Sequence, residues 1–431
     1  MPIPGSRTLT DQGRQRKLHR LGIFCGIAAA LWLAGAEAPT KLVTVAVSPL
    51  VISFMMVLGA FVSRWSLPAV IRGTADTFSD ARNAPHLMVW GVMAGCLWAT
   101  GNTLTIFAVR DIGLSLAFPL WNSNSLIGIL WGTLLFKELH GAGWWRKVGV
   151  VGGALVIFAG ALLISAAAST SQGTHGGALR GVIAALGAGL LFGSMYIPYR
   201  KAYITGMNPL TFLTFFTFGE MATVTVLALV FLGGPLALWR ELVAERAILF
   251  WPLLGGFLWV VGDLFQNYAT KYVGISRGIP LSNTNQLWGL FWAILVFGEL
   301  RGLSGNVYAQ VIGGSLLMAA GAMAIALSSA SESEYSNWRK AAQREMDRYG
   351  IDPAYVTLRM EGREPGPGRA RRGWIDWVLI GAALLIFGAL GAMARAPRME
   401  IQMAWLAALS LAMLIVLIAG GLALRRVTGF S

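Results

Sequence analysis

The chain has 431 residues, 56% of them hydrophobic and only 13% charged, with a formal net charge of +14. A soluble protein of this length carries roughly twice that charged fraction, so composition excludes an ordinary soluble globule. The positive charge does not point to a nucleic-acid partner either: Lys and Arg sit in short loops and tails beside apolar blocks, the distribution that orients a membrane protein.

Apolar blocks fall at about 21–38, 43–63, 87–109, 113–136, 148–168, 179–199, 211–232, 249–270, 275–297 and 308–328, and two more at about 375–394 and 401–424. Each approaches the roughly 20 residues needed to cross about 30 Å of hydrocarbon. A backbone in lipid must satisfy its own hydrogen bonds, so each block is expected to be a helix. The first block follows Arg14, Arg16, Lys17 and Arg20 and contains Ala34-Gly35-Ala36, which resembles a signal-peptidase site. Its partner in the repeat described below makes it a retained first helix, with cleavage after Ala36 as the alternative. With the N-terminus in the cytoplasm, cytoplasmic segments hold 26 of the 34 Lys and Arg residues, which places both termini on that side of an inner membrane.

Shifted by 161 positions, residues 90–162 align with 251–323 without a gap. Trp98 meets Trp259, Gly101 meets Gly262, Pro119-Leu120 meets Pro280-Leu281, Asn122 and Asn124 meet Asn283 and Asn285, and Trp131 meets Trp292. The first helix matches the sixth at a shift of 159, with Gly22 on Gly181 and Pro39 on Pro198. Each copy has five blocks, an odd number, so the second must enter the membrane from the opposite side. Inverted repeats of this kind recur in secondary transporters, with the substrate site near the midplane. The domain plan is therefore a basic segment 1–20, a first five-helix repeat 21–168, a second repeat 179–328, a polar cytoplasmic segment 329–373 and a two-helix extension 374–431. The expected fold is an all-α membrane protein of ten helices in a 5+5 inverted repeat, with two more at the C-terminus. The extension has no partner in the repeat; it reads as an oligomerisation or an insertion device.

A carrier of a hydrated solute must replace water's hydrogen bonds at mid-membrane. The fourth block supplies Trp121, Asn122 and Asn124, and the ninth supplies Asn283, Asn285, Gln286 and Trp292; the third and eighth add Trp98, Asn102, Trp259, Asp263 and Gln266. Amides both donate to and accept from hydroxyls, and a flat indole suits the C–H face of a sugar ring. Taken alone, the amides also fit interhelical bonds worth about 0.6–2 kcal/mol each. Three carboxylates lie at membrane depth: Glu37, Glu220 and Asp263. Each costs roughly 2.5–3.5 kcal/mol near a helix centre, and none has an acidic counterpart in the other half. They are candidate proton-coupling groups, or else partners of loop arginines, the reading favoured for Glu37 with Lys41 one turn away. Glu138 and Glu299, at block ends near basic residues, read as anchors. No basic residue is expected mid-span, which favours a neutral solute. The four histidines are unclustered and the two cysteines, Cys25 and Cys96, lie in apolar blocks; no metal, cofactor, disulfide framework or enzymatic activity is expected.

The runs Gly95-Cys96-Leu97-Trp98-Ala99-Thr100-Gly101-Asn102, Ile112-Gly113-Leu114-Ser115 and Phe192-Gly193-Ser194-Met195-Tyr196-Ile197-Pro198-Tyr199-Arg200-Lys201 resemble the glucose/ribose porter group of the drug/metabolite transporter superfamily, related to the L-rhamnose–proton symporters. The resemblance covers about 20–330 and implies sugar transport by alternating access. Glu37 and the C-terminal extension depart from the family pattern. The rival reading is a metabolite exporter of the same superfamily, for an amino acid or a nucleotide sugar; a non-transporting receptor is the alternative outside it.

Overall fold

The computed structural model describes residues 9–43, 47–71, 73–75, 77–78, 82, 85–112, 117, 120–169, 178–298, 304–328, 332–354, 356, 372–395 and 401–428. Among these residues the regular secondary structure is helical throughout. In chain order the helices are α1 (Leu9–Lys41), α2 (Pro49–Ile71), α3 (Pro85–Ile112), α4 (Asn124–Phe136), α5 (Gly153–Ser169, continuing the helical turns Trp144–Lys147 and Val148–Gly152), α6 (Ala178–Ile204), α7 (Pro209–Leu232), the short α8 (Pro235–Ala244), α9 (Phe250–Val273), α10 (Ile275–Ser282), α11 (Asn285–Phe291), α12 (Gly305–Leu327), α13 (Glu332–Tyr349), α14 (Trp374–Met393) and α15 (Met403–Thr428).

Nine helices among the described residues are long and apolar enough to cross a membrane, against the twelve blocks of the sequence. The eighth block is α9, whose 24 residues span about 36 Å at 1.5 Å per residue; Asp263, Gln266, Asn267 and Lys271 make it too polar to join the nine. The fourth and ninth blocks are not continuous helices, which corrects the expectation that each block is one helix. A turn at Asn122–Ser123 precedes α4, and the turn Asn283–Thr284 separates α10 from α11. Irregular backbone at membrane depth is tolerated where protein buries it. Pro280, which has no N–H for a helical bond, lies just before the second break. A π turn, Trp292–Val296, continues α11.

The helices pair in sets that the repeat exchanges. α1 lies along α9 as α3 lies along α6; α2 crosses α9 as α3 crosses α7; α11 packs on α1 as α4 packs on α6. α5 packs on α12, and α2 on α7. Glycine permits these crossings. A Cβ on Gly59 would stand 2.1 Å from the Leu253 carbonyl oxygen, and one on Gly256 2.0 Å from that of Met56. The repeat-related crossing does the same, with Gly95 against the Phe216 carbonyl and Gly219 against that of Val92, both at 2.0 Å. On α5 and α12, Gly153 faces Gly321 and Gly160 faces Gly314. Lipid supplies no hydrophobic drive between helices, so such small-residue contacts bring backbones together for dispersion.

α13 lies against the bundle through buried Ala341 and Trp338, whose ring lies under Arg200, while Ala342 and Met346 pack on Ile351 and Val356. Its Glu334 pairs with Arg277 at 3.1 Å and accepts from the Leu139 N–H at 2.9 Å. Glu138, fully buried, binds Arg200 at 3.0 Å and accepts the Ser276 N–H at 2.9 Å, satisfying the open first turn of α10. The anchor reading of Glu138 thus acquires named partners, whereas Glu299 lies outside the described residues. The extension touches one side of the bundle: α14 rests on α2 and α9, and α15 on α1 and the Trp292–Val296 turn. Asp376 ties α14 down, accepting from the Gly373 and Thr74 N–H groups, each at 2.7 Å.

Candidate functional site

Arg64 is the residue sequence reasoning missed. Counted with the loop that follows the second block, it lies within α2 with seven helical residues beyond it, 2% exposed. Its Nη1 donates to Glu220 Oε2 at 2.8 Å and its Nη2 to Asp263 Oδ2 at 2.6 Å. Both carboxylates are fully buried, and each sits near the middle of its helix, Glu220 in α7 and Asp263 in α9. The expectation of no basic residue inside the spans is therefore wrong. Two aromatic rings flank the guanidinium. Its Cζ stands 4.5 Å from the Phe216 ring centre and 4.9 Å from that of Trp259, the cation–π range. The Thr214 hydroxyl, 2.8 Å from the Leu210 carbonyl oxygen, also reaches that of Arg64 at 3.1 Å and shares its proton between them. Asp263 has a further donor in Asn267 Nδ2 at 3.0 Å, and the Tyr203 hydroxyl donates in turn to Asn267 Oδ1.

Charges this deep must be paired, because a carboxylate or guanidinium removed from water costs several kcal/mol. One cation between two carboxylates leaves one negative charge in excess when all three groups are ionised, and none when one carboxylate holds a proton. The reading of Glu220 and Asp263 as carboxylates facing a partner agrees with this geometry. The partner is neither a loop arginine nor a cavity but a third helix. Glu37 is exposed near the C-terminal end of α1 and is not a member of this triad; the side chain of Lys41 lies outside the described residues.

Of the remaining candidates, Trp98 and Trp259 meet across the repeat with ring centres 4.7 Å apart, so Trp259 joins the indole pair to the triad. Asn102 Nδ2 donates to Ser53 Oγ at 2.9 Å. Gln266 Nε2 donates to Ser282 Oγ at 2.6 Å and reaches the Tyr196 hydroxyl at 3.5 Å. Asn283 Nδ2 donates to Asn124 Oδ1 at 2.5 Å and Ser125 Oγ at 2.6 Å, joining the two broken spans. Asn122 and Asn283, with Ser125 and apolar residues of α5, line a cleft with room for about one water, far smaller than an ordinary ligand site. In this conformation the amides close on one another. Trp121 is half-buried beside α6, where its backbone lies against Gly189. Asn285, Gln286 and Trp292 follow the second break along α11. A second, equally small cleft reaches Arg64 between Leu67, Pro68, Leu210, Leu213, Val260 and Leu264. Among the described residues no cluster of His, Cys, Asp or Glu has the makings of a metal site. Of the sequence motifs, Gly113 to Ser115 lie outside the described residues.

Residues 216–347 match the model of a family described as "Sugar transport protein", a stretch that holds Glu220, Asp263 and most of α13. Relatives provisionally named sugar uptake proteins are similar over more of the chain. One from Lactiplantibacillus plantarum is 26% identical over 277 residues, 63% of this chain and 87% of its own. One from Streptococcus agalactiae is 23% identical over 231 residues, 52% and 74% of the two chains. One from Listeria innocua is 23% identical over 239 residues, 54% and 76%. A solved structure titled only as that of a protein superposes with a TM-score of 0.47 at 15% identity, covering 69% of this chain and 96% of its own; it adds no weight. The family match, the relatives and the apolar helices agree: the chain is a multi-pass membrane protein that resembles a family of sugar transport proteins.

Proposed function

We propose that the protein carries a small neutral sugar across a bacterial inner membrane by alternating access between two oppositely threaded halves. Both termini face the cytoplasm, and the Arg64–Glu220–Asp263 triad is the proton-linked element. The observation that carries this reading is the triad itself, a fixed ionic centre at mid-helix depth inside a chain whose relatives are named for sugar uptake. Intramembrane ionisable residues of this kind mark ion or proton pathways. The repeat-related helix pairings support the two-halves arrangement, and the paired breaks before α4 and α11 suit a midplane site built from discontinuous helices.

A neutral solute remains favoured although Arg64 is central. Its guanidinium is engaged by two carboxylates and offers no uncompensated positive charge to an anionic exporter substrate. The indole pair beside it and the amides of the broken spans, once opened, would instead offer flat apolar faces and bidirectional hydrogen bonding, the chemistry of a polyhydroxylated ring. Proton exchange is the simplest cycle the triad allows. A proton taken up on one carboxylate removes the excess charge and loosens that carboxylate's bond to Arg64, freeing α2 to move against α7 or α9.

Uptake of labelled monosaccharides into liposomes, with and without an imposed proton gradient, tests this in Glu220→Gln and Asp263→Asn. Gradient-driven accumulation should be lost in at least one variant while equilibrative exchange persists. Accumulation surviving in both overturns the coupling assignment.

A further inference from the structure

The two polar stripes are related by the repeat but differ in what they have left to bind. On the fourth-span side Asn122 Nδ2 is buried without a partner, but three positions that follow it are engaged by the protein. Asn124 Oδ1 and Ser125 Oγ accept from Asn283, and Trp131 Nε1 donates to Ser194 Oγ at 3.1 Å. Their counterparts are Asn285, Gln286 and Trp292. There Asn285 Oδ1, both amide atoms of Gln286 and Trp292 Nε1 are shut off from solvent without a hydrogen-bond partner. Trp292 itself is only 6% exposed. Leaving one such group unpaired costs about 1–3 kcal/mol, and native structures rarely tolerate a cluster of them.

The sequence explains how the indole was freed. The repeat counterpart of Ser194 is Gly35, and Gly35 does lie by Trp292, with Cζ2 of the indole 3.7 Å from where a Cβ would stand. One half has a hydroxyl for its tryptophan and the other has had it removed. The side chain of Met413 from α15 occupies part of the space, its Sδ 2.6 Å from that same Cβ position. A thioether is at best a weak acceptor, and it leaves the N–H unpaired. One turn earlier on α1, on the same side as Gly35, a further buried indole N–H without a partner belongs to Trp32, whose counterpart, Leu191, has none to offer.

We propose that the solute is held one-sidedly. Its hydroxyls are bound by Asn285, Gln286, Trp292 and Trp32 on the α1–α11 side, with Met413 of the C-terminal extension as the adjustable wall, while their counterparts Asn124, Ser125 and Trp131 are structural. The ligand class is a neutral compound with adjacent hydroxyls: one oxygen accepts from Trp292 Nε1 and a neighbouring O–H donates to the Asn285 or Gln286 carbonyl oxygen. The extension, absent from the repeat, thereby supplies part of the binding surface. This rests on the sugar-carrier reading.

The test compares mirror-related variants in the full chain, with glucose, ribose and rhamnose as probes. Trp292→Phe removes only the N–H and should raise KM for the transported sugar by about three- to tenfold, the effect of one hydrogen bond. Trp131→Phe should leave KM unchanged and lower thermal stability. In a Met413→Ala background, Gly35→Ser should weaken uptake because its hydroxyl competes for the indole, and Gly35→Ala, which adds bulk alone, should not. Equal effects on KM from Trp292→Phe and Trp131→Phe, or Gly35→Ala matching Gly35→Ser, overturn the one-sided site while wild-type uptake leaves the carrier reading intact. Absence of wild-type flux for all three sugars overturns both.

Discussion

Replacing Arg64 by Met keeps much of the side chain's volume and removes its charge, which isolates the role of the triad. At charge separations near 4 Å and an effective dielectric of about 20, each pair is worth about 4 kcal/mol before desolvation is charged against it. The measured consequence of removing one partner from a buried ion pair is about 3–5 kcal/mol, because the remaining charge is left in the interior. Here two carboxylates, Glu220 and Asp263, both fully buried, would be stranded. Arg64→Met alone should therefore fall sharply in thermal stability, read as the melting temperature of the detergent-purified chain. The triple variant Arg64→Met, Glu220→Gln, Asp263→Asn, with no charge left to strand, should recover most of the loss. Raising the acidity of the buffer should partly rescue the single variant, since protonating both carboxylates removes the stranded charges. A single variant as stable as the wild type, or a triple variant no better than the single, would refute the reasoning.

Three further outcomes follow from the packing. Gly95→Ala places a methyl 2.0 Å from the Phe216 carbonyl and should cost at least the 1–3 kcal/mol typical of overpacking; Gly289→Ala, with open space around it, should be neutral in the same melting assay. Glu334→Ala leaves Arg277 buried without its carboxylate and should release α13, seen as faster trypsin cleavage at Lys340 and Arg344 while the spans stay protected. In a background with Cys25 and Cys96 replaced by Ala, cysteines at Gly13 and Gly143 should react with an impermeant thiol reagent from one side of the membrane, and one at Gly305 from the other. All three reacting from one side would end the inverted arrangement.

Much of the scaffold was legible because lipid constrains composition so strongly. The apolar blocks and the repeat followed from spacing alone, and Glu220 and Asp263 stood out as carboxylates no lipid-facing helix would keep. Arg64 did not stand out. It ended an apolar run and counted as a loop charge, although Trp65-Ser66-Leu67-Pro68-Ala69-Val70-Ile71 continues in the same apolar vein; only the tertiary partners on α7 and α9 show that it is interior. The breaks at Asn122–Ser123 and Asn283–Thr284 were marked by the repeated Pro-Leu pair, but a run of apolar residues gives no measure of where its backbone leaves the helix. Nor does pattern tell which of two matching residues is already engaged: Asn124 and Asn285 are identical in type and opposite in circumstance.

Counterflow of a labelled monosaccharide tests the central claim most directly. Liposomes holding the purified chain, loaded with unlabelled sugar and diluted into trace label, should accumulate the label transiently above its outside concentration, with saturation as the inside sugar is raised. A labelled sugar that binds the protein yet never crosses, or that equilibrates no faster than in empty liposomes, would contradict the assignment of this molecule as a carrier.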